Sequence, residues 1–202
     1  QQRHFPDEEI LAAISKAEDK MLRAGIVAVG DICNNTLTIP QKKLHRLHYH
    51  HFIEISGWNP SIAQIRMEKS LGYFNSFHEA FPNNTSISPH APYSVSEALW
   101  SEMKPHFTDQ IITIHNQESA AENELFLSGS GDFLRLYRQM QIDNPSFVAT
   151  GKNSLPSVFH YLEGAKHVLL VHNSFTEQSD IDFIRSSKTP VSFCLCPNAN
   201  LY

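Results

Sequence analysis

No stretch of this sequence is long and apolar enough to span a membrane; its hydrophobic runs stop well short of the ~18 residues required. Positive charge is also scarce. A formal net charge of −5 excludes the dense Lys/Arg surface that nucleic acids and anionic membranes demand. There are three cysteines, an odd and small number that cannot build a disulfide framework, so a reducing, cytoplasmic setting is expected. The opening residues do not read as a signal peptide. Internal repeats and low-complexity linkers are missing. No Gly-X-Gly-X-X-Gly follows the first strand, which removes support for a dinucleotide-binding fold. What is present is 202 residues of ordinary globular composition, 41% hydrophobic and 18% charged, enough for one well-filled domain.

Strands and helices alternate along the chain. His4-Phe5-Pro6-Asp7-Glu8-Glu9 opens a helix, with proline and acids at its start. Ile10, Ile14, Ala17 and Met21 share one face of it, and Gly25 stops it. Residues 26–31 follow as a buried strand, and residues 49–57 as a second. The segment 61–81 is predicted helical, with Ile65, Leu71 and Phe74 in the core. A short strand over 85–90 leads to Ser94-Val95-Ser96-Glu97, which has capping-box form, and Pro105 bounds the helix it starts. Ile111 to His115 is a central strand. Helical pieces are then expected from Glu118 through Phe126, over 133–140, and from Pro156 to Leu162. Residues 167–173 form another apolar strand, 176–184 a helix, and the last strand starts at Val191 and runs out at Tyr202. Near-continuous apolar strands between helices indicate a parallel sheet with helices outside, either a (β/α) barrel or an open doubly wound sheet.

Several strands end in a residue able to do chemistry: Asp31, Glu54, His90, His115 and His172. In parallel α/β proteins the C-terminal strand edge is where sites are built. Glu118 stands three residues beyond His115, so both reach one mouth. An isolated His-X-X-Glu is common by chance, and a core histidine is the plain alternative for His115 alone. Four such groups at strand exits favour a metal or acid–base site, because imidazole is a favoured zinc ligand and a nearby carboxylate can shuttle a proton. Other clusters are weaker. His48 and His50 alternate with His51 across the strand, so the three cannot converge, and a solvent-exposed strand start is expected there. Cys194 and Cys196 lack a second cysteine pair and read as buried small hydrophobes. Asp31 and Glu54 each fit either a site or a loop cap. The sequons at Asn34 and Asn83 are chance matches in a cytoplasmic protein.

Ile114-His115-Asn116-Gln117-Glu118-Ser119 resembles the fifth-strand His-X-X-Glu-(Ser/Thr) motif of the amidohydrolase superfamily, in its deaminase and chlorohydrolase branch. Residues 25–31, 88–94, 169–173 and 196–200 are similar to that branch's second, fourth, sixth and seventh strands, in order. The resemblance implies an α/β fold, a (β/α)8 TIM barrel of the metal-dependent hydrolase type. It implies His115 as a metal ligand, with zinc preferred over iron at one divalent ion per site. Glu118 would relay the water's proton to the leaving nitrogen, and His172 would orient the water that the metal activates. His90 would contact the substrate, and Asn198 or Asn200 would line the mouth.

The departures are equally specific. The superfamily's first strand carries a His-X-His ligand pair and its eighth a metal-binding Asp, and neither motif is present. Residues 1–202 are therefore expected to be a single partial barrel domain, about strands two to seven, with open edges prone to aggregation or swapping. Alone it is expected to bind metal poorly and to be inactive. For the whole protein the expected reaction is deamination of a purine- or pterin-like heterocycle. Chlorohydrolysis, cyclic-amide hydrolysis and a non-catalytic barrel are the alternatives. The expected partner is a small heterocyclic substrate, with a homodimer compatible and neither nucleic acid nor membrane involved.

Overall fold

A computed structural model describes residues 5–200 of the chain, so His4 of the expected helix start and Tyr202 of the last strand lie outside the described residues. Among the described residues there are six strands: β1 Ala28–Cys33, β2 His48–Ile55, β3 Thr85–Pro89, β4 Ile111–Asn116, β5 His167–His172 and β6 Val191–Cys194. They form two three-stranded sheets, β1-β2-β3 and β4-β5-β6, and every pairing is parallel. The helices are α1 Asp7–Arg23, α2 Ile39–Lys42, α3 Ala63–Ala80, α4 Glu97–Met103, α5 Ala120–Ser128, α6 Asp132–Met140, α7 Ser154–Leu162 and α8 Gln178–Ser186. Parallel strands cannot be joined by tight hairpins and need crossovers, which the intervening helices supply.

Between β3 and β4 the backbone ladder gives way to a seam built largely by side chains. Ser86 Oγ donates to the Ile111 carbonyl at 2.6 Å, and Ser88 Oγ accepts the Thr113 amide at 3.2 Å. The His115 amide donates to the His90 carbonyl at 2.9 Å. These bonds explain why a fully buried strand, β3, carries serines at alternate positions: a buried polar atom needs a partner.

Strand alternation sorts the side chains. His51, Ile53 and Ile55 of β2 point toward the helices, where His51 and Ile53 meet Phe77 and Phe81. Ile112, Ile114, Val168 and Leu170 fill the same layer further along, with Leu99, Met103, Leu125, Leu155 and Phe159 packed against them. On the opposite face lie His50, Phe52, Glu54, Ser86, Ser88, Thr113 and His115. Register confirms the sorting, since Glu54 pairs with Ser88 and Asp31 with His51.

Several local expectations are corrected. The first strand lies at 28–33 and is an exposed edge rather than a buried strand: it pairs with β2 alone, and Val27 and Ile32 are exposed. β6 is the opposite edge. There Phe193, Cys194 and Leu195 are exposed, so Cys194 is no buried hydrophobe, and Cys196 is half-buried. On α3, Ile65 points to solvent and Met67, Ser70 and Phe77 are buried. Leu71 and Phe74 do pack against the core, so Ile65 alone falls outside the buried stripe of the helix, which runs through Ala63, Met67, Ser70 and Phe77. The cap of α4 is Ser96, whose Oγ accepts the Leu99 amide at 3.3 Å, rather than Ser94. Helix α5 starts at Ala120 instead of Glu118 and ends at Gly129, whose left-handed φ of +65° suits glycine.

His51 is buried, not a solvent-exposed strand start. It joins a cluster around Lys42 of α2, whose ammonium pairs with Asp31 and lies 3.1 Å from His51 Nδ1. Burial, reinforced by the Lys42 charge, pushes His51 down to about 4, leaving a neutral ring that accepts from Lys42. Asp31 therefore faces α2 and not the strand mouth.

Candidate active site

At the C-terminal edge of the seam, five of the residues singled out from the sequence come together. His115, next to last in β4, lies on the face away from the helices, and its Nε2 is 3.5 Å from Oε1 of Glu54, next to last in β2. The His90 ring, just past β3, stands almost perpendicular to that of His115 with centroids 5.0 Å apart. The His172 ring flanks His115 at 5.3 Å. Beyond it, His172 Nε2 lies 3.5 Å from Glu118 Oε1. Glu54, His115, His172 and Glu118 thus form a row across the mouth, with His90 beside its first half.

Backbone turns put them there. Strand parity would send His172 toward the helices with Asn116, its register partner. A left-handed φ of +77° at His172, followed by +62° at Asn173, swings the imidazole back to the mouth. Gln117 adopts φ +46° and redirects Glu118 in the same way. Left-handed backbone is costly for residues with a Cβ and concentrates at functional sites. The two turns are tied together: the Asn173 amide donates to the Asn116 carbonyl and the Phe175 amide to the Gln117 carbonyl, each at 2.9 Å.

Two of the three imidazoles have a second contact. His90 Nδ1 meets Ser94 Oγ at 2.7 Å, and His172 Nδ1 meets Asn200 Oδ1 at 3.1 Å. His115 differs, because its Nδ1 is buried with no protein partner. Burial lowers the His90 pKa, against the pull of Glu54, so that its ring is neutral near pH 7. Glu54 is held below the usual carboxylate range: burial opposes its charge, but the His115 hydrogen bond, the His90 charge and the Asn34 amide at 3.2 Å outweigh it.

One donor atom from each of Glu54, His90 and His115 lies within 4.8 Å of the other two. Two nitrogens and one carboxylate oxygen suit zinc or a related divalent ion. Ser94 holds the far nitrogen of His90, as ligating histidines require, and the unpartnered nitrogen of His115 is an open polar position. The residues present therefore fit a cation. Glu118 and His172 stand outside this trio. His90 also lines a cavity of about 410 Å³ with Trp58, Tyr93, Phe133 and Tyr137, so it connects the donor cluster to a space with aromatic walls. A second cavity of about 310 Å³, bounded by Trp100, Phe126 and Tyr161 and sharing Trp58 with the first, is lined by none of Glu54, His90, His115, Glu118 and His172.

Of the two asparagines expected at the mouth, Asn200 reaches His172 and Asn198 is exposed. Glu54 stood among the strand-end candidates, but site and loop cap were indistinguishable because strand parity had no fixed origin. One residue escaped sequence reasoning. Glu122 was overlooked, although a carboxylate in a helix's first turn, four residues past Glu118, was the available signal.

No family model matches the chain. It is 23% identical over 191 residues to the aminodeoxyfutalosine deaminase of a Nitratiruptor species, covering 93% of this chain and 46% of that protein. It is 24% identical over 196 residues to an adenosine deaminase of Helicobacter pylori, covering 96% and 47%. Among solved structures, the crystal structure of H. pylori aminofutalosine deaminase superposes with a TM-score of 0.82 at 22% identity, over 94% of this chain and 47% of that one. A zinc-bound adenosine deaminase from Xanthomonas campestris gives 0.70 at 17% identity, over 98% and 42%. The chain spans about half the length of the curated relatives it matches. In sequence it resembles deaminases of the amidohydrolase superfamily, and its fold is part of their TIM barrel.

Proposed function

We propose that the whole protein is a metal-dependent deaminase that releases ammonia from a purine- or pterin-like ring, and that residues 1–202 carry its acid–base machinery. The observation that carries this reading is the His172–Glu118 pair set directly beside the Glu54–His90–His115 donor cluster. The named deaminases that the chain resembles support it.

In this reading Glu54, His90 and His115 hold one divalent ion, zinc for preference. A bound ion of this kind lowers the pKa of water toward ~7. Glu118, the most exposed of the row at 42% of its side chain, takes the proton from the attacking water and delivers it to the departing nitrogen. His172 orients that water, its ring fixed by Asn200. His90 also touches the substrate, whose body enters the aromatic cavity. The protein works in the cytoplasm as a soluble enzyme, and a homodimer is compatible with it.

The test is ammonia release from adenosine and related aminated heterocycles by the zinc-supplemented protein, together with the zinc content of the chain. Ammonia release supports the reading. Chloride release from a chlorinated triazine instead would move it to the chlorohydrolase branch. Neither product, with zinc bound, would leave a non-catalytic barrel. About one zinc per chain would mean that the donor trio suffices. Near zero would uphold the expectation that these residues alone cannot hold the ion.

A further inference from the structure

Glu122, in the first turn of α5, is fully buried. Its Oε1 accepts the Gln117 amide at 2.9 Å and the Ser154 hydroxyl at 2.6 Å, and its Oε2 accepts the Glu118 amide at 3.3 Å. An acid in a first turn ordinarily serves its own helix. Here the two amides belong instead to the turn between His115 and α5, the turn whose left-handed residue aims Glu118 at His172.

The Gln117 side chain braces the same turn from the other side. Its Nε2 donates to Asp180 Oδ2 at 2.8 Å and Asn123 Oδ1 at 3.3 Å, and its Oε1 accepts the Thr176 hydroxyl at 2.6 Å. Ser154 opens α7 and Asp180 lies on α8, so three helices converge on two peptide units. Burial pushes the Glu122 carboxyl up to about 7 against these three donors. A buried acid retained at such a cost to folding is the kind of group found beside functional sites.

We propose that Glu122 is a positioning residue, whose carboxylate sets the backbone of Gln117 and Glu118 so that the Glu118 carboxylate meets His172. The role rests on the deaminase reading for its consequence and on the geometry above for its existence. A misplacement of about 1 Å in a reacting group costs on the order of 100-fold in rate, and that is the loss expected when the clamp is removed.

The experiment compares Glu122→Ala and Glu122→Gln in the full chain by hydrogen exchange of the Gln117 and Glu118 amides, zinc content and ammonia-release kinetics. Glu122→Ala should strip protection from those two amides while leaving the Ile112–Ile114 amides protected and the zinc content unchanged. It should lower kcat with little change in KM. Glu122→Gln keeps one carbonyl acceptor and should recover part of both. In a Glu118→Gln background, Glu122→Ala should cost nothing further in kcat. A purely structural acid would cost the same in both backgrounds, which would overturn the proposal, as would amides that stay protected in Glu122→Ala. If the parent protein releases no ammonia, the deaminase reading fails, and amide protection alone then decides whether the clamp exists.

Discussion

Replacing Glu122 by Gln should make stability less dependent on pH, and the size of the effect follows from its surroundings. The carboxyl is enclosed by Gln117, Glu118 and Ser154, and burial pushes it from its ordinary 4.5 up to about 7. Below the ordinary value both folded and unfolded chains keep the proton, and nothing is lost. As pH rises, the unfolded chain gives up its proton first, so stability falls until the folded chain also ionises near 7. The gap between the two values corresponds to about 3 kcal/mol, of which about 2 to 3 kcal/mol falls between about pH 5 and pH 8. The variant carries no proton to lose at this position. Its amide NH2 does oppose the Glu118 amide, but that penalty is independent of pH. The assay is urea unfolding of both proteins at intervals across the range, with the cysteines kept reduced. The difference in unfolding free energy should move steadily in favour of the variant as pH rises. A difference that stays flat would show that the three donors hold Glu122 ionised throughout, and the argument from burial would be wrong.

Three further outcomes are expected. Glu118→Gln should keep its metal and lose about 100-fold or more in kcat, because proton transfer goes while coordination stays; unchanged ammonia release would refute the relay role. His115→Ala and Glu54→Gln should each weaken zinc binding, read by competition with a chromogenic chelator, whereas His172→Ala should not. Equal affinity in all three would remove the donor trio from consideration. Asp31→Ala should destabilise the fold by about 2 kcal/mol, since Lys42 is left buried without its carboxylate. That is less than a fully buried pair would lose, because Asp31 is 32% exposed. An unchanged urea midpoint would mean that Lys42 finds water or another partner.

The alternation of strands and helices was legible because long periodic segments are hard to mistake, and the histidines at the ends of β4 and β5 stood out because polar residues rarely close such apolar runs. What stayed hidden depended on phase. Asp31 and Glu54 looked alike in sequence, yet one faces α2 and the other the mouth, because a shift of one residue reverses every side chain of a strand. His172 would have been assigned to the wrong face by parity alone, since its left-handed backbone is a tertiary requirement without a glycine to announce it. Ile65 was misplaced because it falls between Ala63 and Met67, outside the buried stripe that Leu71 and Phe74 do join. Glu122 looked like an ordinary first-turn acid, and only its distances to the turn before the helix reveal its other attachments.

The serine-bridged seam gives the donor cluster a mechanical meaning. Glu54 and His90 belong to the half of the fold built on β1–β3, and His115 belongs to the half built on β4–β6. A cation held by all three would be a clasp between two parts that otherwise meet through a few hydrogen bonds at the seam, a shared apolar layer and the helices. Whatever free energy the ion gains on binding would then also resist the parting of the halves. Chelation should accordingly loosen the joint at β3 and β4 before it loosens either sheet, so that the chemistry of the mouth and the cooperativity of the fold rise and fall together.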